Sequence, residues 1–148
     1  MESSKLHSSK TFEFLSADTG SNLEIPAVGG IKAGFPSPAD DFSDLSIDLN
    51  KELVKHPYST FYARANGNSM KDAGIGYGDL LVIDKSIEPT DGKVAVCYID
   101  GEFTVKRIRL EKDCCWLVAE NQAYQPIKIT EANDFVIWGI VTHIIKAL

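Results

Sequence analysis

The sequence predicts a mainly β domain, antiparallel in its pairing, with one short helix and an extended N-terminal arm. Three observations carry that prediction. Beyond Pro57 the apolar residues fall in runs of strand length, separated by turn-forming residues. Asp100-Gly101 stands between two such runs, the strongest short hairpin signal a sequence offers. Residues 1–45, in contrast, sustain no apolar period and are punctuated by serine, glycine and proline.

The elements follow in order. Ser3, Ser4, Ser8, Ser9, Ser16 and Ser21 crowd the first stretch, and Pro26-Ala27-Val28-Gly29-Gly30 suits neither a helix nor a central strand. Gly34-Phe35-Pro36-Ser37-Pro38 reads as extended chain, because a residue before proline is pushed out of the α region. Residues 1–33 are therefore expected to form an arm, 34–45 an extended linker and 46–148 the β domain. Asp48–His56 reads as the one helix: Asp48 caps it, Leu49 and Leu53 share a face, and Pro57 stops it. Strands are expected at Phe61–Ala65, Asp79–Asp84, Lys93–Ile99 and Glu102–Leu110, then at Cys115–Ala119, Ile127–Thr130 and Phe135–Ile145. Gly139 marks a bulge in the last of them. A two-residue turn pairs Ile99 with Glu102, and that register sets Lys106 opposite Ala95.

At 148 residues the chain has room for one domain of ordinary size. Apolar residues at 44% and charged residues at 24% are globular proportions, enough for a buried core. Lys and Arg number 15 against 21 Asp and Glu, giving a formal net charge of -6. That acidity argues against a protein whose main work is to grip phosphate backbones. No run approaches the roughly 18 apolar residues of a membrane span, and the N-terminus lacks the apolar stretch of a secretory signal. A soluble cytoplasmic protein is expected. Cys97, Cys114 and Cys115 lack zinc or disulfide spacing, and His7, His56 and His143 share no ligand spacing, so the sequence calls for no metal or other cofactor.

Two positions carry potential chemistry. In Gly67-Asn68-Ser69-Met70-Lys71-Asp72-Ala73-Gly74, serine is followed three residues later by aspartate, the form of a helix N-cap, with Gly74 as terminator. A serine there also sits beside backbone N–H groups, those of Ser69 and Met70, that can hold an oxyanion. Ser69 is readable as a cap or as a nucleophile that still needs a base. On the second hairpin strand Thr104, Lys106, Ile108 and Leu110 share a face. A lysine among small and apolar neighbours loses hydration, so its pKa falls and neutral amine becomes available near pH 7. Lys106 is thus readable as a base for a serine hydroxyl, or as a strand lysine reaching for water.

A wider set of motifs sorts these readings. Ala33-Gly34-Phe35-Pro36-Ser37-Pro38-Ala39, Ile47-Asp48-Leu49-Asn50 and His56-Pro57 come first. Gly67-Asn68-Ser69-Met70, Gly78-Asp79-Leu80-Leu81-Val82 and Asp100-Gly101-Glu102-Phe103-Thr104-Val105-Lys106-Arg107 follow. In order and spacing they resemble UmuD and its plasmid-borne relatives, within the Ser–Lys self-cleaving proteins that include the LexA repressor. The resemblance runs from about Gly30 to Leu148, and the interval of 37 residues between Ser69 and Lys106 fits the family's dyad.

The resemblance implies a compact β domain of the LexA and signal-peptidase kind that forms homodimers. It implies Ser69 as nucleophile, Lys106 as general base and the Ala33–Gly34 bond as the bond the protein cuts in itself, releasing residues 1–33. It further implies a RecA filament on single-stranded DNA as activator. The shortened dimer would then join a Y-family polymerase subunit in error-prone translesion synthesis within the SOS response. Asn68 stands where relatives often carry Asp, and Ala33 where the best-known UmuD has Cys; neither touches the dyad. Gly34 without a side chain and Ala33 with a methyl alone suit a narrow catalytic cleft, and the nearby prolines are expected to keep the segment extended. Two alternatives stand beside this reading. A catalytically silent β-rich interaction module would use Ser69 only as a cap and Lys106 only at the surface. A LexA-like repressor would need a helix-turn-helix, which residues 1–33 lack, so no sequence-specific DNA binding is expected.

Overall fold

Described in the computed structural model are residues 5–8, 13–21, 24–26, 33–34 and 46–148. In chain order the strands are β1 (Lys5–Ser8), β2 (Glu13–Ser16), β3 (Glu24–Pro26), β4 (Ser46–Asp48) and β5 (Thr60–Arg64). Then come β6 (Leu80–Asp84), β7 (Val94–Ile99), β8 (Glu102–Leu110), β9 (Cys115–Val118), β10 (Ile127–Lys128) and β11 (Phe135–Ile145). Among the described residues there is one α-helix, α1 (Leu49–Leu53), which follows β4. The protein is mainly β, as the sequence predicts.

The chain forms two units, Met1–Asp18 with His56–Leu148, and Thr19–Lys55. In the first, nine strands make an antiparallel sheet in the order β1-β2-β5-β6-β11-β7-β8-β9-β10. Leu81, Val82 and Ile83 of β6 are fully buried, so that strand reads as an apolar run, because both its faces are covered. Apolar side chains gather in two clusters, one containing Phe14, Met70, Ile83, Val96 and Val105, the other Ala95, Cys97, Ile108, Leu117 and Ile140. Val96 falls in one and Ala95 and Cys97 in the other, as the period of two along β7 requires.

The hairpin forms as expected. Asp100 (φ 48°) and Gly101 (φ 88°) both take the left-handed conformation that a tight two-residue turn demands. Ile99 pairs with Glu102 and Ala95 with Lys106. The β11 register slips between Ile137 and Gly139, the anticipated bulge. A Cβ at 139 would stand 2.5 Å from Ile83 Cγ2, so this position has no room for a side chain.

In the second unit β3 pairs with β4, and the Asp48 side chain accepts the Asn50 N–H at 3.0 Å to cap α1. The helix is shorter than the expected Asp48–His56. It ends at Leu53, and Val54 N–H donates to Asn50 O at the C-cap. Pro57, rather than stopping that helix, opens a 3-10 turn, Pro57–Ser59.

The sequence pattern did not indicate the strands of the arm, β1, β3 and above all β2. No regular element was expected between residues 1 and 33, yet Glu13–Ser16 pairs with β5, matching Phe14 to Ala63 and Ser16 to Phe61. Phe14 is 2% exposed, its ring 4.8 Å from Phe103 and 4.7 Å from Trp138. A four-residue strand carrying one buried ring is too short to set up a period. Residues 35–45 of the expected linker lie outside the described residues. Among the described residues no helix is long and apolar enough to cross a membrane.

Candidate active site

Ser69 lies in the loop between β5 and β6. Gly67 (φ 124°) and Gly74 (φ 83°) bracket that loop in conformations that a Cβ disfavours, which lets the chain reverse twice within a few residues. Between them Lys71–Ala73 forms a single 3-10 turn that Gly74 ends in the αL conformation, as its place in the sequence suggested. Ser69 does not cap that turn. Met70 holds the N-cap position without a side-chain bond, because the turn is one residue later than the cap motif implies.

Met70 instead anchors the loop, 3% exposed in the apolar cluster beside Ile75 and Val105. The segment after β9 stitches the other side. Asn121 Nδ2 donates to Asn68 O at 2.9 Å, the Tyr124 hydroxyl to Asn68 Oδ1 at 2.9 Å, and Asp72 N–H to Glu120 O at 2.9 Å. Ser69 is therefore held on a loop that is fixed from below by packing and from the side by hydrogen bonds.

Lys106 comes from β8, an interior strand between β7 and β9, and is only 8% exposed. Its Nζ is 3.1 Å from Ser69 Oγ, and it donates to Thr104 Oγ1 at 2.7 Å and to Val105 O at 3.0 Å. All three partners are neutral oxygens. Burial among them pushes the Lys106 pKa below the ordinary lysine value. The three oxygens take the three N–H groups of the ammonium. On deprotonation the amine keeps two N–H for Thr104 Oγ1 and Val105 O and turns its lone pair to the Ser69 hydroxyl proton.

No histidine competes for this role among the described side chains. His56 Nδ1 pairs with Asp84 Oδ2 at 2.5 Å, and His143 Nδ1 with Thr142 Oγ1 at 3.0 Å. Cys97, across from Thr104 on β7, is fully buried, and burial pushes its thiol up to about 12, so it stays protonated. The three cysteines are free of disulfides. Beside Ser69 opens a cavity of about 40 Å³ lined by Ala65, Gly67, Met70, Ile75, Thr104 and Val105. Its small size and apolar floor admit a group no larger than a methyl or two.

Ala33 and Gly34, in the second unit, form an exposed bend, not the extended pair expected from the nearby prolines. Pro36 and Pro38 restrict Phe35 and Ser37, the residues before them, and leave Gly34 free to turn. Thr104, Asn121 and Tyr124 were not singled out by the sequence. Thr104 had a signal, since it lies two residues before Lys106 on the same strand face. Asn121 and Tyr124 lie 53 and 56 residues from Asn68 and announce nothing locally.

Comparison with known proteins agrees with this geometry. Residues 26–142 match the family described as Peptidase S24-like. Over 115 residues the chain is 40% identical to Protein ImpA of Salmonella typhimurium, covering 77% of each chain. It is 42% identical over 113 residues to Protein SamA of Salmonella typhimurium strain LT2, covering 76% of this chain and 78% of that one. Against the LexA repressor of Ectopseudomonas mendocina identity is 37% over 123 residues, 82% of this chain but 60% of the repressor. The chain belongs to the Peptidase S24-like family, as a UmuD-type member of its LexA/UmuD group.

Proposed function

We propose that this chain is a serine endopeptidase that cuts its own Ala33–Gly34 bond, with Ser69 as nucleophile and Lys106 as general base. The observation that carries the reading is the 3.1 Å approach of a buried, neutral-partnered Lys106 Nζ to Ser69 Oγ. The neutral amine accepts the hydroxyl proton as Oγ attacks the Ala33 carbonyl carbon. The backbone N–H groups of Ser69 and Met70 receive the oxyanion. Protonated Lys106 then returns the proton to the Gly34 nitrogen as the C–N bond breaks, and water hydrolyses the acyl-serine. The cavity beside Ser69 is of a size for the Ala33 methyl. A tethered substrate also explains why so small a cavity suffices, since attachment supplies the effective concentration that a foreign peptide would draw from binding.

The UmuD-type resemblance extends the reading to the protein's setting. The chain acts as a cytoplasmic homodimer in the SOS response, is stimulated to cut itself by a RecA filament on single-stranded DNA, and afterwards serves a Y-family polymerase subunit in translesion synthesis. Loss of residues 1–33 changes what the remaining domain binds. The test is intact-mass measurement of protein held in alkaline buffer. Wild type is expected to lose residues 1–33, while Ser69→Ala and Lys106→Arg stay whole, since guanidinium does not deprotonate. Cleavage at Ala33–Gly34 in Lys106→Arg would overturn the assignment of the base.

A further inference from the structure

Among the described residues, the bond proposed for cleavage lies outside the strand ladders that hold the arm. Residues 1–33 contain β1, β2 and β3. Of these, β2 pairs with β5 through four residue pairs, and β3 pairs with β4 through three. Both ladders join residues on opposite sides of the Ala33–Gly34 bond, and hydrolysis of that bond removes no hydrogen bond from either. Phe14 adds a side-chain anchor. Its ring is buried against Phe103 and Trp138, and Phe61 (5.2 Å from Trp138) and Tyr98 (5.5 Å from Phe103) complete an aromatic socket. Lys85 Nζ stands 4.7 Å from the Trp138 ring centroid at its rim. Without β2, the β5 edge would offer an unpaired strand next to that open socket, the two features by which extended peptides are captured on sheet edges.

We propose that the cut arm stays on the domain as a separate strand, held by the β5 edge and the socket around Phe14, and leaves only by exchange with another extended segment that carries a phenylalanine. The proposal rests on self-cleavage for its setting but not for its test. Scission turns β2 from a tethered strand into a ligand, and from then on occupancy of β5 depends on the concentrations of competing strands. The occupant to which we commit is the arm itself, and a second copy of its sequence is the competitor used to read the exchange.

The full chain is allowed to cut itself; a parallel version carries a specific protease site between residues 33 and 34, so that failure of self-cleavage and failure of retention are separate results. The cut protein is run on native gel filtration and each peak is weighed. We expect fragment 1–33 to co-elute with 34–148 at micromolar concentration. Excess synthetic peptide of residues 10–21 should displace it, so that fragment 1–33 elutes apart from 34–148. The same peptide with Phe14→Ala should need about 100-fold more to do so, the order expected when a buried phenylalanine is truncated. This comparison leaves the folded chain unaltered, so loss of fold does not confuse it. A fragment that elutes alone after either cut, or equal displacement by the two peptides, would overturn the proposal.

Discussion

Thr104→Val is expected to slow self-cleavage about fivefold on its alkaline plateau while shifting the pH profile toward lower pH. With the Lys106 lone pair on the Ser69 hydroxyl proton, its two N–H groups go to Thr104 Oγ1 at 2.7 Å and Val105 O at 3.0 Å. Valine keeps the shape and deletes one acceptor. A neutral hydrogen bond contributes about 1 kcal/mol and one from a charged donor about twice that. The transition state, in which the amine takes up the proton, therefore loses about 1 kcal/mol more than the ground state, and the rate falls about fivefold. The ammonium loses more, because a bond from a charged donor is about twice as strong. Lys106 in the variant therefore gives up its proton more readily than in wild type, where burial already holds its pKa low. The rate of either protein rises with pH until the amine is neutral and then levels. On the acidic limb the variant's larger neutral fraction offsets its slower step, so the two profiles converge there and separate on the plateau. The assay is single-turnover loss of full-length protein across a pH series, with Thr104→Ser included, which restores the acceptor and should restore the profile. A variant profile displaced toward higher pH, or an undiminished plateau, would refute this role for Thr104.

Two stability predictions follow from the same packing. Lys106→Met should melt higher than wild type at neutral pH, since burial lowers the folded lysine's pKa below its unfolded value. Below the folded pKa both states carry the charge and the folded state alone bears its desolvation; above about 10.4 both are neutral. The advantage is therefore full at low pH and fades through that window; paired melts that coincide at neutral pH would contradict it. Gly139→Ala should melt lower by about 2–8 °C. A Cβ 2.5 Å from the buried Ile83 Cγ2 overpacks the core by about 1–3 kcal/mol, offset by under about 1 kcal/mol from a stiffer unfolded chain. Adding Ile83→Ala should cost less than the two losses summed, and a Gly139→Ala protein as stable as wild type would refute the clash.

Sequence legibility divides along the range of the forces involved. The Asp100-Gly101 turn fixes its strands locally, so the register that sets Lys106 opposite Ala95 follows from the residues of the hairpin alone. Gly139 and the apolar run of β6 were legible for the same reason, being consequences of backbone geometry and of a continuous apolar run. The 3.1 Å meeting of Ser69 with Lys106 had no such local cause. It depends on β8 lying beside a loop 37 residues earlier in the chain, and only the likeness of the whole motif series to a family anticipated it. Asn121 and Tyr124, which hold Asn68, belong to the same class of long-range contact. Ser69 shows the converse error: a cap motif was present, but Met70 took the cap position once its side chain was drawn into the core. In β2, a single phenylalanine outweighs a polar surrounding composition, because one buried ring adds about 1.5–3 kcal/mol wherever a socket exists for it.

Phe14 and Met70 belong to one apolar cluster, so the strand that the arm lends to the sheet and the loop that carries Ser69 share a core. That sharing gives the two proposed steps different control variables. Scission waits on the deprotonation of Lys106 and, in the proposed setting, on the RecA filament, so its rate follows pH and the activator. Strand exchange at β5 is bimolecular and follows the concentration of a competing strand. A chain that must pass both steps before its surface changes responds to a coincidence of the two conditions, and slow background cutting alone leaves the sheet, the socket and the Ser69 loop packed as before. The order is also fixed. While the Ala33–Gly34 bond is intact, a displaced β2 remains tethered and returns at high effective concentration, so a competitor holds the edge only after the bond is cut. Dye-labelled peptide of residues 10–21 should therefore not co-elute with uncut Ser69→Ala protein at concentrations that displace the arm from cut protein.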